Sequence, residues 1–139
     1  MLKKTINYTD YNDVERSEDF YFNLTKAELS EMELSINGGM TEMLKRIINS
    51  NDNAEIVKVF KTIILKSYGE KSVDGKRFIK SDEAREAFEQ SAAYSELFME
   101  FLTDEQKAIE FVNGIIPKDI EQKLSEQTSE TKMDVVKND

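Results

Sequence analysis

The segment EDFYFNLTKAELSEMELS, residues 18–35, changes its hydrophobic spacing halfway along, and so predicts a strand followed directly by a helix. In its first part every second side chain is apolar, as in a half-buried strand. These alternating residues are Phe20, Phe22 and Leu24. Thr25 and Glu28 then have the spacing of a capping box, which begins helices. The helix is expected to present an apolar stripe of Leu29, Met32 and Ile36 before it ends at Gly38-Gly39.

A second strand is expected upstream of this segment. Thr5–Tyr8 is rich in β-branched and aromatic residues, and Asp10 to Asp13 has the composition of a turn. A lone hairpin is only marginally stable in water, so its apolar face should lie on helices. We therefore expect an N-terminal β-hairpin within residues 1–24.

The rest of the chain is predicted to be helical. Helices are expected to begin at Thr41, at Asp52 or Asn53, at Ser81, before Tyr94, at Thr103 with Gln106 as a second capping box, and at Pro117. The second of these, ending at Gly69, is the most apolar and is predicted to be central. The expected fold class is mainly α, with the N-terminal hairpin packed on about six short helices. We expect one domain over residues 1–124 and a flexible, disordered tail over residues 125–139.

Composition restricts the function. The 139 residues include no cysteine and no histidine, which removes disulfides, thiol catalysis, zinc–thiolate sites and the usual general base near neutral pH. The sequence contains neither of the glycine motifs that bind phosphates, G-x-x-x-x-G-K-[ST] and G-x-G-x-x-G. The net charge of −9 argues against nucleic acid as a partner, because phosphate binding depends on cations. We expect a soluble, cytoplasmic protein that is not an enzyme, has no cofactor or metal, and binds neither nucleic acid nor membrane.

Basic residues crowd into one stretch, SYGEKSVDGKRFIKSDE, residues 67–83. A calcium loop with Gly75 at its sixth position would require a bidentate glutamate at position 81, which is a serine. A small hairpin over residues 71–79, with Asp74-Gly75 as a two-residue turn, fits better. Residues 71–80 carry a net charge of +3, whereas residues 81–110 carry −7. This stretch is either a solvated turn or an arm that docks on an acidic helical face, in the same chain or in a homo-oligomer.

Three stretches together carry a family resemblance: residues 18–35, YGEKSVDGKRFIKSDE at 68–83, and FMEFLTDEQKAIEFVNGIIP at 98–117. In this order, in a short acidic chain, they resemble the tail assembly chaperones of long-tailed phages and prophages of Gram-positive bacteria. The resemblance implies a non-catalytic protein of the host cytoplasm that is absent from the mature virion. Its implied partners are the long, helical, hydrophobic tape measure protein, which it keeps soluble, and the tail tube protein, which assembles around it.

Seven residues are candidates for partner binding. Four belong to the basic stretch and three to the helix expected to begin before Tyr94. They are Lys71, Lys76, Arg77, Lys80, Tyr94, Phe98 and Met99. Alternative functions are an acidic inhibitor that mimics nucleic acid, another small adaptor, and a small hydrolase, although no nucleophile system is recognisable. The resemblance also implies a second, longer product made when the ribosome changes frame near the end of the reading frame, and the ending VVKND is compatible with such a slippage site.

Overall fold

The computed structural model describes residues 1–35, 45 and 53–117, which form a four-stranded antiparallel sheet with helices packed against one face. The strands are β1 (Leu2–Thr9), β2 (Glu15–Phe22), β3 (Tyr68–Lys71) and β4 (Phe78–Ile79), in that spatial order. The helices are α1 (Lys26–Ser35), α2 (Asn53–Ser67), α3 (Asp82–Glu89), α4 (Ala92–Thr103) and α5 (Glu105–Ile115). The expected mixture of an N-terminal hairpin and helices is confirmed. The helices predicted from Thr41 and Pro117, and the tail, lie outside the described residues.

The first hairpin is longer than predicted. Its register runs without a bulge from Leu2 opposite Phe22 to Thr9 opposite Glu15. The loop holds Asp13 in the left-handed region at φ 62°, as in three-residue hairpin loops. The carboxylate of Asp10 accepts the backbone N–H groups of Asn12 and Val14 and so closes the turn. Cross-strand pairing therefore extends both strands through polar residues that have little β propensity of their own.

The second hairpin, β3–β4, joins the first one in the same sheet. Tyr21 pairs with Gly69 and Phe22 with Tyr68, so β2 and β3 are neighbours. This pairing ends α2 at Ser67, two residues before the predicted end at Gly69. Glycine suits position 69 because a Cβ atom there would lie 2.7 Å from the Phe78 ring and 3.0 Å from the Ile79 carbonyl oxygen, both on β4.

The small hairpin is confirmed, but its predicted two-residue turn is wrong. The amide of Gly75 donates to the carbonyl of Ser72 at 2.9 Å, so the turn is centred on Val73-Asp74 and Gly75 follows it at φ 74°. Side chains stabilise this longer loop. The Ser72 hydroxyl donates to Asp74 and accepts the Arg77 amide, and the pKa of Asp74 is lowered, mainly by that hydroxyl.

The core lies between the sheet and the helices. Phe22 is fully buried and touches Phe88 and Phe111 edge-on, while Phe88 stacks on Tyr68 with ring centroids 4.3 Å apart. Four apolar residues of the last described helix are all buried: Ala108, Phe111, Val112 and Ile115. Ala87 of α3 and Leu102 of α4 are exposed.

Two predicted helix starts had different outcomes. The capping box of α1 is confirmed, since the Thr25 amide donates to Glu28 and the Glu28 amide donates to the Thr25 hydroxyl. The second capping box, at Thr103, is wrong. The N-cap of α5 is Asp104, whose carboxylate accepts the Lys107 amide, because α4 still includes Thr103 and the Thr103 hydroxyl donates to the carbonyl of Met99.

Candidate protein-binding surfaces

Helix α4 has apolar side chains both in the core and at the surface. Its buried side consists of Ala93, Leu97 and Phe101. A second apolar row, which we call the α4 strip, consists of Tyr94, Phe98, Met99 and Leu102. Tyr94 and Phe98 are half-buried, whereas Met99 and Leu102 are 51% and 38% exposed. The strip therefore offers apolar surface to a partner on a helix whose other side is anchored in the core.

The aromatic half of the strip is held in place by the core. The Tyr94 ring packs edge-on against Phe88 and tilts against Phe98, with centroids 5.8 Å apart in both pairs. Burial, aided by the nearby Glu89 carboxylate, raises the pKa of Tyr94, so its phenol stays neutral at physiological pH. These contacts present the strip as a preformed surface.

One residue of the basic stretch, Lys80, has a mostly buried side chain, whereas the other basic residues are exposed. The ammonium of Lys80, in a side chain only 15% exposed, donates to Glu28 at 2.5 Å, to the carbonyl of Asn23 at 2.6 Å and to the carbonyl of Lys66 at 2.9 Å. It thus joins the end of β4 to β2, α1 and the last turn of α2. We call this contact the Lys80 clamp.

The two charges of the clamp hold each other ionised. Burial lowers the pKa of Lys80 while the Glu28 carboxylate opposes that shift. Burial also works against ionisation of Glu28, but hydrogen bonds from Lys80 and Thr25 outweigh it and the pKa of Glu28 is lowered. Lys80 therefore serves the fold, which the sequence did not reveal because a charge pattern does not show which way a side chain points.

The other basic candidates point to solvent. Lys71 lies over the Tyr21 ring, 4.1 Å from its centroid, in a cation–π contact. Lys76 and Arg77 are exposed at the hairpin tip and form no ion pair with the described part of the chain. Among residues 1–35 and 53–117, no ion pair joins residues 71–80 to the acidic segment 81–110.

The two groups of candidates lie toward opposite edges of the sheet. Helix α4 packs on β1, whereas the basic hairpin ends in β4 at the other edge. Three interstrand spacings separate these strands by about 14 Å. The candidates on α4 and the exposed basic candidates of the hairpin therefore do not form one surface, and Lys80 belongs to neither group.

Comparison with known protein families finds that residues 1–139 match the family described as phage tail assembly chaperone. The chain belongs to this family. No curated protein and no solved structure is detectably similar to it. The resemblance drawn from the three sequence stretches is confirmed, and the family implies protein partners in tail assembly.

The structure of the chaperone also bears on two features, a metal site and a membrane-spanning helix. Within the described ranges, no three acidic side chains converge in a way that would hold a metal ion, and the Asp74 loop is closed by its own hydroxyl and amide groups. Over the same ranges, no helix combines the length and apolar character of a membrane span.

Proposed function

We propose that this tail assembly chaperone binds the tape measure protein, keeps it soluble in the host cytoplasm, and promotes assembly of the tail tube around it. The action is binding without catalysis, and the chaperone leaves before the virion is complete. The family match supports the general role. The absence of histidine and cysteine from the sequence supports a non-catalytic mechanism, because the usual nucleophile and base systems cannot be built.

The observation that carries the proposal is the α4 strip. Tyr94, Phe98 and Leu102 follow each other at intervals of four residues and so form one ridge along the helix, and Met99 neighbours Leu102 at a spacing of three. Such a ridge fits the groove of an apolar helix. Methionine adapts to varied apolar partners, which suits a surface that contacts many turns of a long helix. We infer that helical segments of the tape measure protein pack on this strip.

The charge of the chaperone supports the solubilising part of the proposal. The chain carries a net charge of −9, and exposed carboxylates occupy α3 and α5 as well as the sheet. Copies of the chaperone bound along an apolar helix would replace its surface with a strongly charged one, and net charge away from zero opposes aggregation.

Co-expression tests this proposal. The tape measure protein of the same phage is produced with the wild-type chaperone, with Met99→Asp, or with Val73→Asp, and its soluble fraction is measured. Met99→Asp places a charge on the strip and should weaken binding about tenfold, or by roughly 1.4 kcal/mol, and so lower that fraction. Val73→Asp is the matched control, because Val73 is also exposed and apolar but lies at the tip of the β3–β4 hairpin.

Equal soluble fractions for the two variants would contradict binding through the strip. A tape measure protein that is equally soluble without any chaperone would contradict the proposed function itself. Thermal unfolding of both variants shows whether the fold is intact. Docking through Lys76 and Arg77 stays a separate prediction, and the double variant Lys76→Glu/Arg77→Glu tests it in the same assay and by light scattering.

A further inference from the structure

The free edge of strand β1 is long and regular. In the β1–β2 pair, Asp10 and Val14 form a hydrogen-bonded pair, since the Asp10 amide donates to the Val14 carbonyl. The alternation of an antiparallel ladder then turns the N–H and C=O groups of every second β1 residue away from β2. These outward residues are Lys3, Thr5, Asn7 and Thr9. Across residues 1–35 and 53–117, no backbone hydrogen bond reaches these outward groups.

This edge lacks most of the devices that proteins use to block edge pairing. Strand β1 contains no proline and no bulge, and its eight residues pair in an unbroken register. The opposite edge strand, β4, has only two residues. A long, straight edge is a template for another strand, whereas a very short one is not.

A groove runs along the same edge. It has a volume of about 460 Å³, and its walls are β1 from Lys4 to Asn7 and the side of α4. The α4 wall supplies apolar surface from Met99, which is exposed. It also supplies carboxylates. Glu100 is paired with Lys4 at 2.9 Å and with Lys107 at 3.4 Å, but Glu96 is exposed and has no ion-pair partner in the described part of the chain.

We propose that this β1–α4 groove binds an extended segment of a partner protein as a fifth strand of the sheet. On the side that faces α4, the segment carries apolar residues and one basic residue. Its backbone pairs with Thr5 and Asn7, an apolar side chain lies against Met99, and the basic side chain meets Glu96. Backbone pairing supplies affinity in such complexes, and the pockets for alternate side chains supply specificity.

A second copy of the chaperone fits this edge less well. Pairing β1 with the β1 of another copy would make one continuous sheet, with both helix layers on the same face. Helix α4 already forms a wall beside the free edge, over the place of the next strand. The α4 of the second copy would have to enter the same space, so an extended segment without its own helix layer is the better occupant.

This inference is independent of tape measure binding through the α4 strip. The strip binds side chains of a helix, whereas the groove binds the backbone of an extended segment. The only residue common to both is Met99, at the border between them. The test therefore varies the backbone of β1 and does not vary the strip.

The probe is a fluorescent eight-residue peptide with valines and one lysine at the positions that face α4 and threonine at the positions between them, and its binding to the full chain is measured by anisotropy. Thr5→Pro removes an outward N–H group while the β1–β2 hydrogen bonds remain, and an edge strand tolerates this change. We expect at least tenfold weaker binding. Thr5→Val is the matched control, because it alters the side chain but keeps the N–H group, and it should bind within twofold of wild type.

Two further peptides separate backbone pairing from charge attraction. Methylation of alternate backbone nitrogens on the pairing edge should abolish binding, whereas replacing lysine by glutamate should weaken it by charge repulsion. No binding of the valine–lysine peptide at millimolar concentration would overturn the proposal. Equal binding of the N-methylated peptide, or of the Thr5→Pro variant, would also overturn it.

Hydrogen exchange shows whether the edge of β1 is free in the absence of peptide. The Thr5 and Asn7 amides should exchange rapidly without peptide and slowly with it, while the Ile6 amide, which faces β2, should be protected in both states. Protection of Thr5 and Asn7 without peptide would mean that the edge is already covered. If light scattering then showed a dimer that Thr5→Pro dissociates, the occupant would be a second copy and the proposal would be wrong.

Discussion

The β3–β4 hairpin and helix α4 hold the seven residues predicted to bind partners, and the two elements use them differently. The basic cluster of the hairpin includes Lys80, a mostly buried lysine whose hydrogen bonds hold four elements together. In α4, residues with the spacing of an ordinary core helix leave an apolar strip at the surface. A dense charge cluster can therefore stabilise the fold, while apolar residues with core spacing can remain exposed and available to a partner.

The largest expected effect is the difference in stability between a substitution on the buried side of α4 and one on its exposed side. Leu97 is 1% exposed, so Leu97→Ala should leave a cavity and lower the free energy of unfolding by about 3 kcal/mol. Met99→Ala, on the exposed side of the same helix, should change it by less than about 0.5 kcal/mol. Urea denaturation followed by circular dichroism measures both. A similar loss for the two variants would show that Met99 belongs to the core and not to a binding surface.

The hairpin offers the next contrast, between its buried and exposed lysines. Lys80→Met removes three hydrogen bonds and leaves Glu28 partly buried without its partner, which should lower the free energy of unfolding by about 2 kcal/mol. Lys76→Met removes a charge without an ion pair and should have almost no effect. The same denaturation experiment compares them, and a Lys80→Met protein as stable as Lys76→Met would refute the clamp.

A pH titration tests the hairpin's anchoring to the core. Burial, with a smaller effect of Glu70, raises the pKa of Tyr68 to about 12. A phenol with a raised pKa in the folded state stabilises the protein fully below its unfolded pKa of about 10, and this contribution is lost as the pH rises through 12. At pH 11 the loss should be about 1.4 kcal/mol relative to neutral pH. Tyr68→Phe should remove the part of the pH dependence that Tyr68 contributes. If the profile of that variant equals that of the wild type, the pKa of Tyr68 is not raised.

Much of the fold could be predicted from local sequence signals. The capping box of Thr25 and Glu28, the alternation of Phe20 and Phe22, and the second hairpin were all indicated by short patterns. The shared sheet was not, because pairing of Tyr21 with Gly69 is a long-range contact and YGEK has neither length nor alternation to mark it as a strand. The same contact moved the end of α2.

The candidate surfaces were predicted only in part. Tyr94, Phe98 and Met99 were candidates from the sequence. In the structure Tyr94 and Phe98 lie on one ridge of α4, and Met99 is exposed on a neighbouring part of the same helix. The inward direction of Lys80 depends on the carbonyls of Asn23 and Lys66, which only the folded chain brings together. The β1 edge was missed because sequence patterns show which residues alternate but not which strand lies at the edge of a sheet.

The most direct test of the account is a covalent footprint of the purified complex with the tape measure protein. Mild peroxide oxidation reports on Met99 of the α4 strip, and acetylation in a parallel sample reports on Lys76 of the hairpin. We expect the oxidation rate of Met99 to fall at least fivefold in the complex, while the acetylation rate of Lys76 stays within twofold of that in the free chaperone. Unchanged oxidation of Met99 together with strong protection of Lys76 would contradict the account and assign binding to the basic hairpin.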